Sequence, residues 1–314
     1  MPSIQNYAQM LEAAAAVGPV PVAIAAAQEY EVLEAANEAQ ARGIIHAILV
    51  GDAQAIRHIA REHDLDIRQF HIIDEPDVAA AADKTMHLVA QGEAKVAVKG
   101  QMQTPTFLHA ALKREVGLRT ERLISHVGVF EVPGFDRLLF ITDGGVVLFP
   151  TKEQKVEIVS NAIAVARGLG VEQPKVALLA AADEVLPGLP VTVEIEQIVA
   201  MQERWVAEGA IVGGPFLLDT AVSSEIARQR GRGGRVAGHA EVLVGPDVES
   251  VNIMAKGITY FARGRMAGLV VGAKAPLVVG SRADPPETRL VCIAAGVLLA
   301  AAIASSQLLV NGDR

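Results

Sequence analysis

The sequence predicts a two-domain α/β protein with parallel sheets and helices on both sheet faces. Three observations predict it. Short apolar runs alternate with longer amphipathic segments from end to end, the rhythm of βαβ units. One hairpin signal breaks that rhythm in the middle of the chain. The length, 314 residues, suits two domains at roughly 100–200 residues each. Hydrophobic residues make up 51% of the chain and aromatic ones 4%. The core is therefore built from Ala, Val, Leu and Ile, and such a chain buries enough apolar surface to exclude disorder.

Residues 21–26 read as the first strand and 29–42 as a helix, with Val32, Leu33, Ala36 and Ala39 at helical spacing. A strand over 44–50 ends at Gly51-Asp52. Helix 53–62, strand 71–73, helix 78–90, strand 95–98 and helix 105–115 continue the alternation. Two strands then follow, 123–130 and 137–142, joined through Pro133-Gly134, which is a hairpin rather than a crossover. Asp143-Gly144-Gly145 makes a sharp turn after them. A domain boundary is expected near residue 125.

Alternation resumes with helix 152–167, strand 176–181, helix 193–207 and strand 210–213. A glycine-rich basic loop spans 228–235, RQRGRGGR. Strand 241–244, helix 248–262, strands 269–271 and 277–279, and helix 290–304 close the chain. That last segment falls short of the ~20 residues a membrane-spanning helix needs, so it reads as a buried helix.

Composition narrows the chemistry. A formal net charge of −8 repels nucleic acid, so an anionic ligand needs a local cluster of Lys and Arg. The single cysteine, Cys292, permits no intrachain disulfide and suits a reduced, cytoplasmic setting. Residues 1–5 do not read as a signal peptide. The P-loop, the G-x-G-x-x-G fingerprint, H-E-x-x-H and G-x-S-x-G are all absent from the sequence. The eight histidines show no metal-ligand spacing, so no metal is expected.

Ligands of open α/β sheets bind beyond the carboxyl ends of the strands. Five segments qualify: Lys99-Gly100, Asp143-Gly144-Gly145, Gly213-Gly214-Pro215, Pro246-Asp247 and Ser281-Arg282-Ala283-Asp284. The last is chemically richest. Arg suits phosphate through its planar fork, Ser can donate to an oxyanion, and Asp can accept a proton. Ser281 or Asp284 would equally serve as the cap of the following helix, with Pro285 and Pro286 near its first turn. Lys99 is either a phosphate contact or an exposed strand-end charge. Loop 228–235 is either a solvated surface or an attractor of polyphosphate. Cys292, in an apolar helix, reads as an inert core thiol.

Taken together, these segments resemble the phosphate butyryltransferase and phosphate acetyltransferase family, and the butyryl-type members more closely. The stretches that carry the resemblance are VAIAAAQEYEVLEAANEAQARGI, VKGQMQTPTFLHAAL, LISHVGVFEVPGFDRLLFITDGGV, GGPFLLDTAVS, AGHAEVLVGPDVESVNIMAKGITYFA and GLVVGAKAPLVVGSRAD. The resemblance implies an isocitrate dehydrogenase-like fold, with residues 1–124 and 276–314 in one domain, 125–275 in the other and the active site in the cleft between them. It implies exchange of a short acyl group between coenzyme A and phosphate, with no metal or prosthetic group, and a homo-oligomer. Ser281 and Arg282 match the family's active-site pair, and Asp284 and Glu287 both qualify as the carboxylate that helps deprotonate the CoA thiol. Lys99, Gly100, Thr104 and Thr106 are expected to bind substrate, as are Asp143, Gly214, Pro215, Asp247 and Lys274. His109 stands in that set where a basic Lys or Arg is common, and a neutral His binds phosphate less strongly. Direct transfer in a ternary complex is expected, since the only cysteine reads as buried. Two other readings stay open: a non-catalytic sensor of CoA or acyl phosphate, and a metal-dependent decarboxylating dehydrogenase of the same broad fold.

Overall fold

In a computed structural model, residues 3–281 and 284–305 are described. The chain divides into two compact units. Among the described residues, one comprises Tyr7–Arg122 and the chain from Ala267 to residue 305, and the other Leu123–Met266 with residues 3–6.

The first unit opens with α1 (Tyr7–Val17), which sequence periodicity does not flag. Only Tyr7, Met10 and Ala14 are buried on it, and the alanines between them blur the amphipathic pattern. After it come β1 (Val20–Ala25), α2 (Tyr30–Ala41), β2 (Ile45–Gly51), α3 (Ala53–Glu62), β3 (His71–Asp74), α4 (Val78–Ala90), β4 (Val96–Lys99) and α5 (Thr104–Leu112). Asp52 caps α3, accepting hydrogen bonds from the Gln54 and Ala55 amides, and Asp77 caps α4 through the Ala80 amide. β1 pairs in parallel with β2 on one side and β4 on the other, and β3 lies outside β2. The order β3-β2-β1-β4 places a topological switch point at β1 and β4.

The second unit begins with the expected hairpin, β5 (Ser125–Glu131) and β6 (Leu139–Thr142), paired antiparallel. Then follow α6 (Lys152–Gly168), with a capping box between Thr151 and Gln154, β7 (Lys175–Leu179), α7 (Pro190–Val199) and α8 (Gln202–Ala207). The sequence predicts one helix over 193–207, but the chain turns at Ala200-Met201. The Trp205 indole donates back to the Ile198 carbonyl at 2.9 Å and fixes the corner. β8 (Ile211–Phe216), α9 (Leu218–Val222), α10 (Ser224–Gln229), β9 (Val242–Val244) and α11 (Val248–Tyr260) complete the unit. Its strands lie in the order β5-β6-β9-β7-β8. Phe130, Leu139, Ile141, Ala177, Leu243 and Val251 are among the residues of its core.

The chain re-enters the first unit along β10 (Arg265–Val271). The return falls at Ala267 and not at 276, because β10 is already hydrogen-bonded to β11 (Leu277–Val278). β11 in turn pairs in parallel with β4. The last helix, α12 (Pro286–Ala304), is long and apolar enough to cross a membrane, yet Thr288 through Ala300 are all buried inside the unit. Gly296 lets it lie close on the sheet. A Cβ there would stand 2.6 Å from the Val278 side chain.

Candidate active site

Register brings the carboxyl ends of β1, β4 and β11 side by side. Ala25 is level with Lys99, and Val278 with Val98, so Ser281 emerges just beyond the end of β4. β1 stops at Ala26, whose φ of +48° turns the chain sharply. The Ala25 and Ala26 carbonyls accept hydrogen bonds from the Gly100 and Gln101 amides at 2.9 and 2.8 Å. That approach requires glycine. A Cβ on Gly100 would lie 2.4 Å from the Ala26 oxygen and 2.5 Å from the Ala25 oxygen.

Beyond β11 the chain closes a short turn. The Asp284 carboxylate accepts the Ser281 amide at 2.6 Å, and the Asp284 amide donates to the Ser281 carbonyl at 3.2 Å. Neither residue caps α12. The N-cap is Pro285, which offers no side-chain hydrogen bond. Glu287 is exposed in the first turn of that helix. Arg282, the other half of the expected catalytic pair, lies outside the described residues. Arg289 lies beneath the turn. Its Nε donates to the Asp284 carbonyl at 3.2 Å and its Nη2 to Glu29 Oε1 at 3.0 Å. One turn further on, Cys292 is buried and its thiol is pushed up to about 12, first by burial and then by the nearby Asp284 charge.

Lys99 is not exposed at its strand end. It is 2% exposed, and its ammonium donates to the Met102 carbonyl at 3.2 Å and toward that of Gly100 at 3.5 Å, holding the loop that leads into α5. Thr104 and Thr106 occupy the first turn of α5, half-buried, where backbone amides are unpaired within the helix and favour an anion. His109 is exposed in the last turn of the same helix, at the end opposite those amides. Lys274 is exposed in the turn joining β10 to β11. Since β11 runs parallel to β4, this turn sits at the amino end of those strands. The structure therefore does not bring Lys274 to Ser281.

Four expected residues belong to the second unit. Asp143, 4% exposed, ends β6 and accepts four backbone amides: Gly145 and Val146 on Oδ1, His126 and Val147 on Oδ2, at 2.8–3.1 Å. Its carboxylate organises the turn. His126 stands beside it with a buried Nδ1 that has no hydrogen-bond partner among the described residues. Burial holds its pKa below the usual histidine value, against the opposing pull of Asp143. Asp247 follows the neighbouring strand β9 and caps α11 through the Ser250 amide at 2.8 Å. Gly214 and Pro215 are not beyond a strand end. They lie inside β8, the edge strand of the unit, at a register shift opposite Leu178. Proline is tolerated there because an edge strand leaves amides unpaired.

The basic loop is also occupied. Arg230 pairs with Asp183 and Asp219, Arg232 with Glu184, and Arg235 donates to Gln173. Arg230 and Arg232 line a cavity of about 320 Å³ with Asp183 and Glu184, so the charge of that cavity is mixed. Among the described residues, no three or more His, Cys, Asp or Glu side chains are grouped so as to hold a metal ion.

The profile of the phosphate acetyl/butaryl transferase family matches residues 7–87 and 77–297, nearly the whole chain. The chain belongs to that family. It is a phosphate acyltransferase, exchanging an acyl group between coenzyme A and phosphate. The phosphate butyryltransferase of Clostridium beijerinckii is 41% identical over 297 residues, 95% of this chain and 98% of that one. That of Clostridium acetobutylicum is 43% identical over 279 residues, 89% and 93% of the two chains. Among solved structures, a branched-chain phosphotransacylase from Enterococcus faecalis superposes with a TM-score of 0.79 at 30% identity, covering 90% of this chain and 99% of that one. A 4-hydroxythreonine-4-phosphate dehydrogenase from Klebsiella pneumoniae shares the fold alone, at 13% identity and a TM-score of 0.55 over 90% of this chain and 99% of its own. Sequence reasoning about this acyltransferase missed Glu29 and Arg289. No local pattern links two residues 260 positions apart.

Proposed function

We propose that the acyl group passes directly between phosphate and the CoA thiol in a ternary complex, at the turn Ser281–Asp284. The observation that carries this reading is the register of β11 on β4, Val278 level with Val98, which ends the two neighbouring strands together before Ser281 and Gly100. The Ser281 hydroxyl and the start of α5, whose unpaired amides favour phosphate, would then serve one substrate. A phosphate oxygen attacks the thioester carbonyl, the new C–O bond forms, the C–S bond breaks, and the CoA thiolate leaves and takes up a proton. Ser281 would donate to the tetrahedral oxyanion, and Arg282, in the role the family resemblance implies, would hold phosphate or polarise the carbonyl. Thr104 and Thr106 would add hydroxyl donors to phosphate. Cys292 supports direct transfer, since a thiol buried and raised to about 12 supplies no thiolate for an acyl-enzyme.

The two carboxylates divide the work. Asp284 holds the Ser281 amide and shapes the turn, and exposed Glu287 remains to exchange a proton with the thiol. Asp284→Asn should therefore lower kcat more than Glu287→Gln. Relatives at 41 and 43% identity are called butyryltransferases and one from Rhizobium meliloti at 40%, over 94% of both chains, an acetyltransferase. The acyl chain favoured here is proposed to be short and of the butyryl type. Thiol release from acetyl-, propionyl-, butyryl- and isobutyryl-CoA, with and without phosphate, tests this. Release independent of phosphate, or an acyl-enzyme trapped on Cys292, would sink the direct mechanism.

A cytoplasmic setting is proposed from the single buried thiol. A homo-oligomer is proposed from the apolar side chains that α11 leaves exposed. Ile253 and Tyr260 are each 71% exposed and the adjoining Phe261 is 92% exposed, the kind of patch that a second copy covers. Sedimentation of the enzyme and of Phe261→Asp reports on it.

A further inference from the structure

The mechanism above makes no use of the most deeply buried ion pair in the first unit. Arg289 and Glu29 have side chains only 6% and 16% exposed. Arg289 is on the first turns of α12, and Glu29 precedes α2 in the loop after β1. The guanidinium makes two directed contacts at once, Nη2 to Glu29 Oε1 and Nε to the Asp284 carbonyl. The same Asp284 holds the Ser281 amide through its carboxylate at 2.6 Å. A chain of hydrogen bonds thus runs from the end of β1, through one rigid planar group, to the backbone of Ser281.

We infer that Arg289 is the positioning residue of the Ser281 turn, acting through Asp284 and anchored by Glu29. This rests on the reading that Ser281 takes part in acyl transfer. A buried ion pair is weak support for stability, since apolar residues of similar volume often replace one at no loss. What this pair supplies is direction. A planar guanidinium with fixed donors holds two acceptors in one geometry, and an ammonium does not. The loop it anchors carries Ala26, whose carbonyl also receives the Gln101 amide. Arg289 therefore fixes the turn after β11 relative to the strand end that borders Gly100. An oxyanion donor misplaced by about 1 Å loses on the order of a hundredfold in rate.

The test uses the full-length enzyme with butyryl-CoA and phosphate, and kcat is expressed per folded molecule from circular dichroism. Arg289→Lys keeps the charge opposite Glu29 but gives up the fork to Asp284. It should lower kcat about tenfold or more, with KM for both substrates within about twofold. Glu29→Gln should shift kcat in the same direction by a smaller factor. Arg289→Met should fall furthest, and Arg289→Lys gives the answer if that variant does not fold. A role confined to stability would lower the melting temperature and leave kcat untouched. Wild-type kcat in Arg289→Lys and Glu29→Gln, beside an impaired Ser281→Ala, would overturn the positioning role alone. A rise in KM at constant kcat would also overturn it, by making Arg289 a substrate contact. Wild-type kcat in Ser281→Ala would remove the reading on which it rests.

Discussion

Gly100→Ala tests the strand-end geometry with a single methyl group. The added Cβ would meet the Ala26 oxygen at 2.4 Å, where ordinary contact begins near 3.4 Å. The end of β4 and the turn after β1 must therefore separate by about 1 Å, and both partners are backbone, so no rotamer change relieves the clash. Overpacking of this kind costs about 1–3 kcal/mol. The displacement falls on the Gly100 and Gln101 amides that bond to Ala25 and Ala26, and it carries the first turn of α5 with it. A shift of that size at the proposed phosphate-binding turn should reduce kcat/KM by about a hundredfold. Two measurements are needed: the thermal midpoint, which reports packing, and phosphate-dependent thiol release from butyryl-CoA, which reports the site. Loss of stability with activity intact would keep the packing argument and remove Gly100 from the site. An alanine variant matching wild type in both would refute the geometry.

Arg282→Ala should leave the fold intact and lower turnover at least a hundredfold, the scale of one lost transition-state donor at roughly 2.7–4 kcal/mol. Wild-type kinetics would remove it from the site. Cys292, raised to about 12, should react with a disulfide reagent at pH 8 on the order of a thousandfold more slowly in the native enzyme than in the unfolded chain, which one absorbance trace in each state decides. Cys292→Ala should retain turnover. His126 has a folded pKa below its unfolded value of about 6.5. Its contribution to stability is therefore complete above that pH and is lost as pH falls below it, because the unfolded chain takes up the proton first. Melting curves of wild type and His126→Gln between pH 7 and 5 should diverge, and parallel curves would contradict the assignment.

The parts of the fold that were legible are those where chemistry is local. Asp52 and Asp77 announce α3 and α4, and the structure gives both helices the predicted limits, because a capping carboxylate marks a helix start in the sequence itself. The start of α12 was less visible. Glu287, Thr288 and Arg289 look like surface residues, yet Thr288 and Arg289 are 5% exposed, and only tertiary contacts explain it. Gly214-Pro215 reads as a chain reversal in any sequence, but an edge strand absorbs it as a bulge. The candidate site follows the same division. Strand-end polar groups could be found from alternation, whereas their partners could not. Glu29 and Arg289 meet only because β1, β4 and α12 belong to one unit. The capping reading of Ser281 and Asp284 was reasonable chemistry applied to the wrong donor. Asp284 closes its own turn, and proline begins the helix.

That turn also bears on how the thiol is activated. A free thiol titrates near 8.5, so only a small fraction of CoA is thiolate at neutral pH. Asp284 is already engaged by the Ser281 amide at 2.6 Å. The larger share of the barrier must be met by positive potential at the sulfur and the carbonyl, which only a cation or aligned amides can supply. Lys99 is committed to the Gly100 and Met102 carbonyls, and Arg289 to Glu29 and Asp284. Of the cations that the sequence singles out in this unit, His109 and Lys274 sit at the wrong ends of their elements. The requirement for charge is the reason Arg282 is the proposed source, with the start of α5 proposed for phosphate. In that role a guanidinium supplies positive charge directly, without having to take up a proton.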